Sequence, residues 1–212
     1  RSLSDAQLRL STQILLAVNL NYTGQFSRTL EFLSAMRRDG EAPGAQPLER
    51  TALKTVESMY HMLNADAERC VKAVFDGIEI GDETGVQLWS YHLLSNGVAA
   101  SLAVGALDTA SELIERMKDY EHGARTLDRS LYYYHRSWLA MLRNDTDTAR
   151  REQREALFHA EEAGCPFNVV LCRLALAQIF VEQGELDRAA VELRKIHPVA
   201  RSINNRLLEY TA

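Results

Sequence analysis

Apolar residues return along this chain every three or four positions, the interval that places them on one face of an α-helix. The cleanest stripe is Ala106, Ala110, Leu113, Ile114 and Met117, and Phe26, Leu30 and Leu33 form another. No segment alternates apolar and polar residues as a half-buried strand would. The pattern predicts helices alone, and the punctuation between them is readable. Ser4-Asp5-Ala6-Gln7 has capping-box spacing, so a first helix opens there and runs to about Tyr22. Asp39 to Pro47 holds Gly40, Pro43, Gly44 and Pro47 and reads as a loop. Pro47 suits the first position of the next helix, where a missing N–H costs nothing. That helix is expected to end near Leu63 and its successor near Ile80, with Gly81-Asp82-Glu83-Thr84-Gly85 breaking the chain. Later helices read over roughly Leu127 to Arg143 and Thr146 to Ala163. Gly164-Cys165-Pro166 closes one helix and opens another. The helix so opened is apolar on nearly every side, through Val169, Val170, Leu174, Leu176, Ile179 and Phe180, as expected of a helix covered on both faces. A last one starts near Leu186, and Pro198 is expected to kink or end it.

The helices pair, and the pairs repeat at about 40 residues. Turn phrases open at Gly24, Ala65, Gly105, Asn144 and Gly184. Three residues on, each has Ser27, Glu68, Asp108, Asp147 or Asp187, which are expected to accept hydrogen bonds from the free N–H groups of the second helix. Two further on stand Thr29, Cys70, Ala110, Ala149 and Ala189. Seven residues before each turn stand Ala17, Ser58, Val98, Ser137 and Ala177. Two phase-locked series of mostly small residues let the two helices of a pair lie close.

A small residue in the first helix, Gly at the turn and an apolar-Asp-x-Ala opening to the second resembles the tetratricopeptide layout. Gly184-Glu185-Leu186-Asp187-Arg188-Ala189-Ala190, preceded by Leu176-Ala177 and Phe180, is the best copy. The period exceeds the usual tetratricopeptide length of about 34. With that longer period, and phrases such as His159-Ala160-Glu161-Glu162-Ala163-Gly164-Cys165-Pro166, the chain is similar to the C-terminal array of MalT-like (LuxR-type) regulators of the STAND signal-transduction ATPases. The resemblance implies an all-α, right-handed α-solenoid of helix-turn-helix repeats. It would form one array over 1–212, with repeats at about 4–40, 47–81, 84–122, 126–164 and 166–203 and a further helix starting over 206–212. Repeats 1 and 2 depart from the layout in lacking the Asp and Ala of the second helix, and Asn144 replaces the turn Gly. Arg1 in place of Met and the helical look of the last residues lead us to expect a fragment of a larger protein.

Composition narrows the function. A formal net charge of −5 argues against direct nucleic-acid contact. No apolar run is long enough to cross a membrane. Three cysteines, Cys70, Cys165 and Cys172, suggest free thiols in a reducing, cytoplasmic setting. There is no phosphate-cradling Gly-rich loop, no His-Glu-x-x-His and no zinc spacing, so no catalytic residue, metal ligand or cofactor site is assigned and the chain is not expected to be an enzyme. Arg150, Arg151 and Arg154, interrupted by Glu152 and Glu155, read as a solvated face with local ion pairs.

The resemblance places first helices on the concave side. Counting back from the turns, Val18, Met59, Ala99, Trp138 and Gln178 share one level of that face, and Ile14, Thr55, Ser95, Tyr134 and Leu174 the level before. Tyr134, Trp138, Ser95, Gln178 and Met59 are the candidate binding residues. Their mixed lining suits a protein segment, a peptide or a small organic effector. The run Tyr132 to Trp138 has two readings, as packing between helices or as part of a groove. The expected function is a sensor domain of a cytoplasmic bacterial signalling or transcription-regulatory protein. The alternative is a protein–protein adaptor or a peptide-binding tetratricopeptide regulator.

Overall fold

The structure is a computed structural model that describes residues 5–22, 25–40 and 44–202. Ser4, Gly24, Pro43, the side chain of Gln7 and the helix expected from 206 lie outside the described residues. Among the described residues the chain is all-helical, with no strand. Its helices are α1 (Asp5–Tyr22), α2 (Phe26–Gly40), α3 (Pro47–Leu63), α4 (Ala67–Thr84), α5 (Ser90–Ala103), α6 (Leu107–Met117), α7 (Thr126–Leu142), α8 (Thr146–Glu162), α9 (Pro166–Glu182) and α10 (Leu186–Ser202), with a 3-10 stretch at Lys118–Gly123. They fall into two compact units, Arg1–Thr109 and Ala110–Ala212.

In the first unit α2 packs on α3, α3 on α4, and α5 on both α3 and α4. Ile14, Ala17, Leu33, Met36, Ala52, Leu53 and Val56 form one core cluster there, with Trp89 and Tyr60 against it. In the second unit α7 packs on α8, α8 on α9, and α9 on α10. Its core comprises small clusters such as Ala156, Ala160 and Cys172, and Leu176, Ala177, Phe180 and Ala189.

The two small-residue series account for the close pairing. All ten residues are buried. In α7 the Ser137 hydroxyl donates to the Ala149 carbonyl of α8 at 2.9 Å, and Ser130, two turns earlier, donates to Ala156 at the same distance. A larger residue at any of the four would push the helices apart and break these bonds. Ser58 accepts from the Asn96 amide at 2.9 Å, tying α3 to α5.

One turn geometry recurs. Ala65, Gly105, Asn144, Gly164 and Gly184 all have φ between 58° and 74°. Each donates its N–H to the carbonyl three residues back, and the next residue donates five back, as in a Schellman ending. Glycine reaches this conformation freely and Asn tolerates it, so Asn144 is a conservative departure. Ala65 has no such excuse and is held there by its surroundings.

Three expectations need correction. First, helix capping falls to Asp66 and Asp145, whose carboxylates accept from the N–H groups of Arg69 at 3.2 Å and Thr148 at 3.0 Å. Glu68 and Asp147 lie inside the first turn, because the cap position follows the left-handed residue directly. Second, α4 does not stop near Ile80. It runs on through buried Gly81, whose missing side chain lets the Val86 carbonyl lie 3.2 Å from where a Cβ would be. The break comes at Gly85, with φ of 73°, and α5 begins at Ser90. Third, Pro198 does not end α10, which continues to Ser202.

Candidate functional site

Helices α7 and α9 each send a stripe of side chains into one cleft of about 500 Å³ in the second unit. Tyr134, Ser137, Trp138, Met141 and Leu142 come from α7; Ala175, Gln178, Ile179 and Glu182 come from α9. Both sets follow the i, i+3, i+4, i+7 spacing of a single helix face. The intervening α8 adds Thr146 near one end and Gln153, with Asn144 of the turn completing the wall. Tyr134 and Trp138 meet edge to face, centroids 6.3 Å apart at 70°. Burial pushes the Tyr134 phenol up to about 12, so it stays a neutral hydroxyl at physiological pH.

The polar groups at the base of this cleft are arranged unusually. Gln153 is 0% exposed. Its Nε2 donates to the Cys172 carbonyl of α9 at 3.2 Å, while its Oε1 has no protein partner. Exchanging the two amide atoms would set oxygen against carbonyl oxygen, so the orientation is determined. Ser137, also buried, has committed its hydroxyl proton to Ala149. Thr146 accepts from Gln183 at 3.3 Å. Glu182, on the exposed rim, is the one charged side chain among the lining residues; no Lys, Arg or His joins it.

Three of the five sequence candidates meet here: Tyr134, Trp138 and Gln178. Met59 and Ser95 do not. They belong to the first unit and are 5% and 6% exposed, so there they are core residues and not lining. Their neighbours by level behave alike: Ile14 belongs to the first unit's core, and Thr55 donates back to its own helix at Thr51. The aromatic run divides between its two readings. Tyr133 stacks on His159 at 5.6 Å between α7 and α8, and Tyr132 lies under the Arg136 guanidinium. Tyr134 and Trp138 face the cleft. Arg150 pairs with Asp147 and Glu185, and Arg151 with Glu152, so the ion pairs are local as expected, but Glu152 is buried and shared with Arg136 of α7, not part of a solvated face.

Gln153 escaped the sequence reading. Its signal was available, since it interrupts the buried series Ala149, Ala156, Ala160 with a polar residue at core spacing. Elsewhere, burial raises the Cys70 and Cys172 thiols to about 12, while Cys165 at the start of α9 is half-buried. Among the described residues no three His, Cys, Asp or Glu side chains are placed to share a metal ion. Also among them, no helix is long and apolar enough to cross a membrane.

No family model and no curated protein matches the chain. Among solved structures it is similar to BtubC (BKLC) from P. vanneervenii, with a TM-score of 0.66 and 14% identity, covering 92% of this chain and 80% of that one. At that identity the likeness shows the helical fold alone. None of these comparisons supports the expected resemblance to MalT-like regulators.

Proposed function

We propose that the chain is a recognition domain that binds an effector or partner in the cleft between α7 and α9, as the sensor of a cytoplasmic bacterial signalling or transcription-regulatory protein. On this reading the helix pairs of each unit are turns of a right-handed tetratricopeptide-like solenoid, and first helices supply the binding face. The carrying observation is the cleft itself: two successive first helices present matching stripes around an aromatic pair. Its size lies within the roughly 300–1,000 Å³ typical of small-molecule sites. The resemblance to MalT-like regulators supplies the setting, in which occupancy would favour one arrangement of the helix pairs and neighbouring domains would respond. The domain itself performs no chemistry, needs no cofactor and leaves nucleic acid to other parts of the protein.

A second reading, a protein-binding adaptor, is favoured by one observation: Leu142 at the cleft is exposed, as an apolar contact for a protein partner would be. Both readings place Trp138 at the centre. Trp138→Ala should weaken binding about thirtyfold or more, as loss of a central aromatic anchor does. A modest fall in melting temperature should accompany it, because the side chain is partly buried against Tyr134. Calorimetric titration beside thermal melts checks both. Undiminished binding, or a collapse of stability with no separate binding loss, would assign Trp138 to packing and remove the site.

A further inference from the structure

We infer that the groove over α3, flanked by α2 and α4, binds the phosphate group of a small phosphorylated molecule between the guanidinium groups of Arg37 and Arg69. The site lies in the first unit and makes no use of the α7–α9 cleft.

Helix α3 packs on both α2 and α4. The groove they form has a volume of about 350 Å³, and every lining residue but Ala73 is charged or a histidine. Its cations are Arg37 of α2, Lys54 of α3, and Arg69 and Lys72 of α4; its carboxylates are Glu57 and Asp76. One positive charge stays in excess even when Asp66, the partner of Arg69, is counted, although the chain as a whole carries −5. Both lining carboxylates are taken. Glu57 accepts from Arg37 Nε at 2.6 Å and from Lys54 at 3.0 Å. Asp76 accepts from Lys72 on both oxygens, at 3.0 and 2.9 Å. What these pairs leave over is guanidinium. Arg37 spends only Nε, so its two terminal nitrogens have no hydrogen-bond partner among the described residues. Arg69 meets Asp66 at 3.5 Å and makes no side-chain hydrogen bond among them. The two side chains are 41% and 73% exposed, so a solute can reach both. The groove over α9 is the contrast. There Arg173 donates from both terminal nitrogens, to Glu192 and Glu161, and Arg188 donates to Glu185. Two free forks on the helices flanking α3 suit a tetrahedral phosphate, which can turn oxygens to each, whereas the two coplanar oxygens of a carboxylate serve one fork.

The test is isothermal titration of the intact chain with glycerol phosphate, pyrophosphate and acetate, at low ionic strength and in a buffer free of phosphate. The two phosphates should bind saturably, one per chain, and acetate about tenfold more weakly. Arg69→Gln should weaken phosphate binding about tenfold and leave the melting temperature unchanged, because the side chain is 73% exposed. Arg37→Gln should weaken it alike, but it also takes a partner from buried Glu57; if that variant does not fold, Arg69→Gln decides. Arg129→Gln removes an exposed charge from α7 and should change nothing. Absence of saturable binding by either phosphate overturns the assignment, as does an affinity untouched by Arg69→Gln. Equal losses in Arg69→Gln and Arg129→Gln overturn it too, by reducing the binding to general attraction of charge. Capture by vesicles containing phosphatidic acid, without binding of glycerol phosphate, would put the phosphate on a lipid surface and overturn the small-molecule assignment.

Discussion

Leu93→Ala is expected to destabilise the first unit by about 2–5 kcal/mol, towards the upper end of that range. Leu93 is 0% exposed and stands on α5 facing α4. Its Cδ1 lies 2.8 Å from where a Cβ on Gly77 would be, so the two residues share one space: a full side chain from one helix, none from the other. Deleting the leucine leaves a hole with glycine as its far wall, and glycine has no atoms to swing into it. Gly77→Ala alone should also destabilise, despite alanine's better helix propensity. Its methyl would meet Leu93 and the Lys54 Cβ, the latter at 3.0 Å. Combined with Leu93→Ala, the same methyl finds room. The double mutant should therefore be more stable than Leu93→Ala alone, with a coupling of about 1–3 kcal/mol in a double-mutant cycle followed by urea unfolding. Additive losses would show that the two helices do not interlock at this point.

The second large effect is of pH. His135 is 3% exposed, and burial pushes its imidazole down to about 3. The folded state therefore keeps the ring neutral while the unfolded chain protonates it near its ordinary value of 6.5. A depressed histidine contributes stability that is complete above the unfolded value and is lost as the pH falls towards the folded one. The loss runs at about 1.4 kcal/mol per pH unit and reaches about 2.7 kcal/mol by pH 4.5. His61, also lowered by burial, acts in the same direction within the first unit. Two carboxylates act lower down. Glu192 and Asp76 are depressed because their lysine and arginine partners outweigh burial, so they withdraw stability only below their unfolded values of 4.5 and 3.8. Urea unfolding between pH 7.5 and 4.5 separates these windows. The unaltered chain should weaken steadily below pH 6.5, and His135→Gln should remove most of that slope for the second unit. A stability that stays flat down to pH 5 would mean that water or a partner reaches the imidazole and charges it without cost.

Much of the scaffold was legible because it repeats. A left-handed turn needs a permissive residue, and close helices need small ones; both demands recur at fixed phase, and Ala17, Ser58, Ser137 and Ala177 sit where that phase puts them. What failed was local and tertiary. Gly81 reads as a breaker by composition, yet in α4 it serves a close approach of backbone at Val86, which no intrinsic propensity encodes. Pro198 is tolerated within α10 for no reason that the sequence discloses. For the site, counting from the turns found the two helix faces but not which levels stay open. Trp138 and Gln178 line a cleft between α7 and α9, whereas Met59 and Ser95, at matching levels, are closed over. Exposure depends on how far neighbouring helices spread, and spread is decided by side chains distant in sequence.

The cysteines turn this architecture into its own gauge. Cys70 belongs to the first unit and Cys172 to the second, both sealed and both held protonated. A thiolate-seeking alkylator should thus mark the half-buried Cys165 early and the other two only when their helices part. Mass spectrometry of the labelled peptides over time would then clock the breathing of each half separately, with no probe engineered in.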